Sequence, residues 1–193
     1  MLAPARADVD LYAGLEGLVT FPDWKNNDPT KAEHAGGNGF KLGLRNLYFG
    51  GELGYENVEG DHDISKSDAI ATAGHFTMRD FTLDGFAYYP LGDGDWFQPF
   101  LTGGVAYAEA NDRTITFSTT TRTLSSGAQQ TVNVRSVAPG FTSSEVEWRA
   151  GAGVAWQATQ DLSVRFVARY QPYSFSSRLN GGASFNFGFL VRL

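Results

Sequence analysis

The chain has 193 residues, 23 glycines, no cysteine, 14% aromatic and 19% charged residues, and a formal net charge of -6. That length suits one domain with its own core, and the missing cysteine excludes a disulfide framework, a thiolate metal site and a cysteine nucleophile. A pI near 5.0 argues against nucleic acid as a partner, since phosphate binding needs a basic face, and no run of about 18 apolar residues offers a membrane-spanning helix. Rich in glycine and aromatics yet with a mean hydropathy of -0.25, the composition is that of an all-β protein with two unlike faces.

At the start, Ala5-Arg6-Ala7 before Asp8 has the small-residue pattern of a secretory cleavage site, so residues 1–7 are expected to be a leader remnant and 8–193 the folded unit. From there a two-residue period dominates. Val9, Leu11, Ala13, Leu15, Gly17, Val19 and Phe21 alternate with Asp8, Asp10, Tyr12, Gly14, Glu16 and Thr20. Further strands are predicted over 40–46, 47–57, 75–89, 97–110, 143–157 and 162–171. The chain closes on Phe185, Phe187, Phe189, Val191 and Leu193, alternating with Ser184, Asn186, Gly188 and Arg192. This period means strands, because a helix would repeat its apolar residues at three and four. Several of them reach the nine to eleven tilted residues that cross a bilayer.

The connections alternate in kind. Those at 45–46, 90–95 and 159–161 are short, whereas those at 22–39, 59–67, 111–142 and 172–179 are mostly longer and polar. Short turns at one rim and long loops at the other are the asymmetry of a transmembrane barrel, with the long loops outside the cell. One face carries Leu42, Leu44, Phe49, Leu53, Leu83, Leu101, Val105, Val146, Trp148, Val154, Trp156, Val164 and Phe166. The other carries Glu16, Lys41, Glu52, Asp84, Glu147, Arg149, Arg165, Arg169 and Arg192 among Gly, Ala, Ser and Thr. Small residues and charges cannot fill a dry core at protein density, but they can line a lumen whose outer face meets lipid. Aromatics near strand ends (Phe21, Trp24, Tyr48, Tyr88, Tyr89, Trp96, Phe97, Trp156 and Tyr173) suit two interfacial girdles. The fold expected is an all-β, eight-stranded, antiparallel up-and-down transmembrane barrel.

The segments 99–107, 147–154, 162–166 and 185–193 resemble strands of the small eight-stranded bacterial outer-membrane barrels of the OmpA/OmpX-like superfamily. The resemblance runs over nearly the whole chain from Asp8 and is one of architecture, without a catalytic signature. It implies residence in the bacterial outer membrane with both termini periplasmic. It also implies assembly by the barrel-assembly machinery through the terminal Phe185, Phe187, Phe189, Val191 and Leu193, and contact with outer-membrane lipids and lipopolysaccharide. The family usually ends in Phe; here Leu193 keeps an apolar last residue.

Three functional readings follow. In the first, the lumen charges Glu16, Lys41, Glu52, Asp84, Glu147, Arg149, Arg165, Arg169 and Arg192 pair into a plug, since buried ions require partners and an eight-stranded interior is only just wide enough for side chains. The protein would then act structurally or as an adhesin-like surface protein. Its loop 111–142 is the candidate for meeting a surface ligand, because two alternating runs flank Ser125-Ser126-Gly127 as a projecting hairpin. In the second, the lumen or a side opening conducts small or hydrophobic solutes. In the third, a lipid-A-modifying enzyme, His34, His62 or His75 would need a hydroxyl and a carboxylate beside it; no local motif of such enzymes is found, and no catalytic residue is assigned. Glu59, Asp61 and Asp63 lack the full calcium-loop pattern, so neither metal nor cofactor is expected. Gly151 and Gly153 lack the third glycine of a dinucleotide fingerprint and are expected to make room for lumen side chains. Lys25, Lys31, Lys66, Arg79, Arg113, Arg122, Arg135 and Arg178 gather toward the outer side, where lipid phosphates lie.

Overall fold

In the computed structural model, residues 9–24, 34–66, 70–91, 96–126, 128–173 and 179–193 are described; the expected leader at 1–7 lies outside them. Eight strands follow one another: β1 Asp10–Trp24, β2 Ala35–Arg45, β3 Phe49–Lys66, β4 Ile70–Tyr88, β5 Phe97–Thr123, β6 Gln129–Gln157, β7 Leu162–Pro172 and β8 Leu179–Arg192. Each pairs antiparallel with its sequence neighbour, and β1 pairs with β8, so the sheet closes into a barrel. Closure matters because an open edge would leave unpaired backbone groups in lipid.

The apolar positions of the alternation point outward. Leu101 and Val146 are each 67% exposed, and Leu53, Leu83, Phe49 and Phe166 are exposed as well. A water-soluble barrel would bury this set; hydrocarbon accepts it without cost. At the rims Phe21, Tyr48, Tyr89, Trp96 and Trp156 are exposed. Tyr88 and Tyr173, expected in those girdles, instead turn inward and are buried, because Tyr88 shares the phase of inward-facing Asp84 on β4 and Tyr173 that of inward-facing Arg169 on β7.

Strands run well beyond their predicted ends. β3 continues to Lys66, β4 starts at Ile70, and β5 and β6 pair without a break in strand from the barrel out to Thr123↔Gln129. A hairpin closes the pair, Leu124 N donating to Ala128 O at 2.8 Å. The stretch 111–142 is therefore strand on both sides of a tight turn. The projecting hairpin expected from its two alternating runs is present, although its outward positions need no apolar residue once past the lipid. Pairing there rests instead on backbone bonds and β-branched Thr, Ile and Val.

Among the described residues these extensions lie on one side only. β6 pairs with β7 just from Gln157↔Ser163 to Ala150↔Tyr170. The chain of β7 then reaches Pro172, which has no N–H to give the next β6 residue. Above that point β6 bonds to β5 alone among the described residues. Among the described residues the wall β3–β6 thus stands above β7, β8, β1 and β2, and no described strand pairs with the far edge of β6 there.

Candidate functional site

Inward positions of six strands converge on one charged layer. β1 supplies Glu16, β2 Lys41, β3 Glu52 and Glu56, β4 Asp80 and Asp84, β6 Arg149, and β7 Arg165 and Arg169; all are buried. Arg165 lies at the centre of one half. Its Nε donates to Glu16 Oε1 at 3.1 Å, and its NH1 and NH2 donate to Glu52 at 2.7 and 3.1 Å. A further bond joins its NH2 to Glu16, and its guanidinium sits 5.1 Å from the Phe86 ring centroid. Tyr12 OH donates to Glu52 at 2.9 Å, and Asn186 Nδ2 to Glu16 at 3.2 Å.

The other half is organised by Glu56. Arg149 donates to it through NH2 at 2.7 Å and NH1 at 3.2 Å, Lys41 Nζ pairs with it, and Arg169 NH1 lies 3.4 Å away. Asp84 forms ion pairs without a hydrogen bond: its Oδ1 lies 3.0 Å from Arg149 Nε and its Oδ2 3.6 Å from Arg169 NH2. Lys41 and Arg169 each stand 3.9 Å from Glu16, which links the two halves. Such close opposite charges are the condition under which ions tolerate loss of water.

Apolar side chains lie on both sides of this layer. Along β4 the inward residues read Tyr88 and Phe86, then Asp84, Thr82 and Asp80, then Met78 and Phe76. Phe86, Tyr88, Phe100, Ala155 and Val167 form one cluster toward the short turns. Ala35, Val58, Phe76, Met78, Ala108, Ala110 and Tyr173 form another toward the extended wall. The interior is thus an ionic layer between two apolar ones, where charges among small residues alone were expected.

Glycine makes the space. A Cβ on Gly151 would stand 2.8 Å from Arg169 Cγ, and one on Gly153 would stand 2.6 Å from Phe100 Cζ. Both distances are below what packed carbon atoms adopt.

Of the expected lumen residues, Glu16, Lys41, Glu52, Asp84, Arg149, Arg165 and Arg169 share the layer. Glu147 is half-buried, two residues from Arg149 on β6. Arg192 is corrected to a different place: its side chain is 51% exposed at the barrel mouth, 2.8 Å from Asp10, because it closes the last strand. Sequence reasoning passed over Glu56 and Asp80, although each keeps the phase of a residue it did select, Glu52 and Asp84. Phe185, Phe187, Phe189, Val191 and Leu193 all face outward and are exposed.

On the extended wall, His75 Nδ1 lies 2.6 Å from Asp61 Oδ1. His34 is exposed, while the side chains of His62 and Asp63 lie outside the described residues, as do those of Lys25, Lys31, Lys66, Arg122 and Arg178. No group of three metal-binding side chains occurs among the described residues.

A scan against protein-family models finds no match, and neither does a search of curated proteins. Solved structures do match. Neisserial surface protein A superposes with a TM-score of 0.62 at 11% identity, over 96% of this chain and 99% of that one. Ail, the attachment invasion locus protein of Yersinia pestis, solved with the heparin analogue sucrose octasulfate, gives a TM-score of 0.51 at 10% identity over 96% and 97% of the two chains. The chain has the fold of the small eight-stranded outer-membrane β-barrels, the architecture of the OmpA/OmpX-like proteins.

Proposed function

We propose that this protein is an integral bacterial outer-membrane barrel whose interior is a closed plug and whose work is done outside, on the wall β3–β6. The observation that carries this reading is the layered interior. Four cations are each held by buried carboxylates, and aromatic clusters cover the layer on both sides. Moving an ion through it would require breaking contacts of the Arg165 and Glu56 kind, each worth several kcal/mol in a dry interior.

In this reading the short turns and both termini face the periplasm, and the longer wall faces outward. The outward residues of β8 from Phe185 to Leu193 form the signal read by the barrel-assembly machinery. The outer surface meets lipopolysaccharide and a surface partner, and the protein is structural or adhesin-like; no enzymatic role is assigned. The free edge of β6 offers the partner a row of unsatisfied backbone groups, to which an extended strand can add. Neisserial surface protein A and Ail are cell-surface precedents for the barrel only.

Planar-bilayer recording of the folded protein tests the plug. We expect a silent membrane while gel mobility shows the barrel intact. Discrete, reproducible openings would overturn the closed interior and favour a channel for small solutes.

A further inference from the structure

Beyond Ile70↔Ser118, the outermost pairing of β4 with β5, the strands β5 and β6 continue as a two-stranded ribbon among the described residues. Sheets in water commonly blunt an edge strand with charges or proline. Residues 129–138 of β6 carry one charge, Arg135, and no proline. The bonded pair of Leu124 and Ala128 sets the phase, so Gln129, Thr131, Asn133, Arg135 and Val137 turn their N–H and C=O away from β5. Pro139, next in that series, has no N–H to offer, and the hairpin turn closes the other end. Five edge-facing residues are thus bracketed, with Asn133 at their midpoint. No described strand reaches them. Val137 lies 13 residues past Ala150, whereas Tyr173 lies three past Tyr170, the partner of Ala150. Six residues join Tyr173 to Asn180, whose backbones bond at 3.0 Å. Going up and back, six residues can rise at most about 10 Å, where about 30 Å would be needed.

We infer that this edge pairs with the same edge of a second copy, antiparallel about a two-fold axis at Asn133, and that the protein so joins two facing outer membranes. The pairing rests on the proposed orientation, with the wall facing outward, and names the strand that adds to β6. With the axis there, Asn133 meets Asn133 of the second copy, Thr131 meets Arg135, and Gln129 meets Val137, so all five residues of each copy are used. Moving the axis to Thr131 or Val132 runs residues past the turn. Moving it to Val134 or Arg135 brings in Pro139, and at Arg135 two guanidiniums would oppose each other, which destabilises a sheet. On the other face the same axis sets Val132 opposite Val134 twice, a cluster of four β-branched side chains. In the single chain these valines are 37% and 44% exposed, far past the lipid, where nothing else calls for apolar residues. Asn133 Oδ1 accepts from Thr119 Oγ1 at 3.3 Å, which leaves its Nδ2 to donate across the axis. Such an isologous contact closes on two copies and does not propagate. The axis stands perpendicular to the sheet, so the second barrel lies at the far end of the shared ribbon. Two copies upright in one membrane cannot form it, and an isolated barrel keeps its edge open. Thirteen residues separate Asn133 from outward Val146, so at about 3.3 Å each the two lipid surfaces would be held within about 90 Å.

The full chain is folded into phosphatidylcholine vesicles, and their clustering is followed by light scattering. Wild type should cluster them at least tenfold more than Asn133→Pro, which removes an edge-side N–H and leaves the β5 ladder its bonds. Slow exchange of the Val132 and Val134 amides checks that the ribbon of this variant stands; where it does not, the cysteine rates below decide. Asn133→Cys, in a chain with no other cysteine, reads the register. Opposed bonded residues have Cα atoms about 5.5 Å apart, within the reach of a disulfide. Thr131→Cys would lie four residues, about 13 Å, from its equivalent on the second copy. Two vesicle populations are mixed under mild oxidant, one carrying a chain lengthened by a terminal tag, so that dimers between populations have their own mass. These should form at least tenfold faster with Asn133→Cys than with Thr131→Cys. Equal rates overturn the axis, and dimers confined to single populations overturn the facing-membrane arrangement. Clustering by a folded Asn133→Pro equal to wild type overturns the pairing itself. On intact cells an impermeant maleimide should label Asn133→Cys. Absence of label overturns the outward orientation together with the pairing, whereas label without dimers between populations overturns the pairing alone.

Discussion

Arg165→Met is the sharpest test of how the interior is held. The side chain is fully buried and bonds two carboxylates at once. After its removal Glu16 keeps Asn186 at 3.2 Å, with Lys41 and Arg169 each 3.9 Å away. Glu52 keeps only the Tyr12 hydroxyl at 2.9 Å. The cost is therefore concentrated on Glu52, an acid left dry and without a cation. Orphaning one member of a buried pair costs about 3–5 kcal/mol, and methionine replaces most of the lost volume, so little of that is cavity. At a slope of about 2 kcal/mol/M, the urea midpoint should fall by about 2 M. Reversible unfolding in micelles, followed by tryptophan fluorescence and gel mobility, reads the shift. Adding Glu52→Gln, which still accepts from Tyr12, should restore about 2 kcal/mol, since contacting residues couple on this scale. A midpoint for Arg165→Met within 0.5 M of wild type, about 1 kcal/mol at the same slope, or no recovery in the double variant, would refute the reasoning.

Two further outcomes check the faces and the edge. Gly104→Ala should cost about 1–3 kcal/mol by overpacking, because its Cβ would stand 2.5 Å from Asp84 Oδ1; Gly103→Ala, one residue away, should be near neutral with its nearest atom at 3.9 Å. Folded fractions at matched urea compare them. In the hairpin, Leu124 and Ala128 form a bonded pair, so alternation directs the even-numbered amides of β6 between Gln129 and Ala138 toward β5 and the odd ones toward the open edge, an order that the register shift at Asn111/Arg113 reverses further down. Hydrogen exchange should find Val132, Val134 and Ser136 protected and Thr131, Asn133 and Arg135 rapid. The reverse order, or protection of both sets, would mean that the edge is covered.

Much of the barrel is legible from the alternation alone, because a two-residue period at a lipid boundary forces every second side chain to be apolar. Val9 to Phe21 and Phe185 to Leu193 could hardly be placed otherwise. What the period does not reveal is the chemistry of the second face. Phe76, Phe86 and Phe100 share the inward phase, yet an aromatic is equally at home in lipid, so nothing in their type separates them from Phe81. Only strict counting from Asp84 does, and the same counting leads from Glu52 to Glu56. Strand ends are hidden for the complementary reason. Past the membrane both faces of the wall are polar, and 59–66 loses its hydrophobic contrast while keeping its ladder to β4, whereas the alternating runs within 111–142 still mark their hairpin.

The unequal heights of the wall have a local cause with a functional consequence. Closure is compulsory only inside the hydrocarbon, where every unpaired N–H and C=O costs several kcal/mol. Beyond it a strand can lack a neighbour, because water satisfies its edge. Pro172 ends the pairing of β7 at that boundary, and β6 continues for 21 residues past its last β7 partner, from Arg149 to Gln129. A rim of equal strands would have paired the β6 edge and curved the outer face of the wall all round. Ending β7 early instead leaves, among the described residues, an open edge on one side of β6. Replacing Pro172 with a residue that carries an N–H removes one obstacle to extending the β6–β7 ladder. If that extension closes over Trp148 and Val146, rapid exchange of their free-side amides should slow. Unchanged exchange would assign the height of the wall to the composition of β6 rather than to the proline.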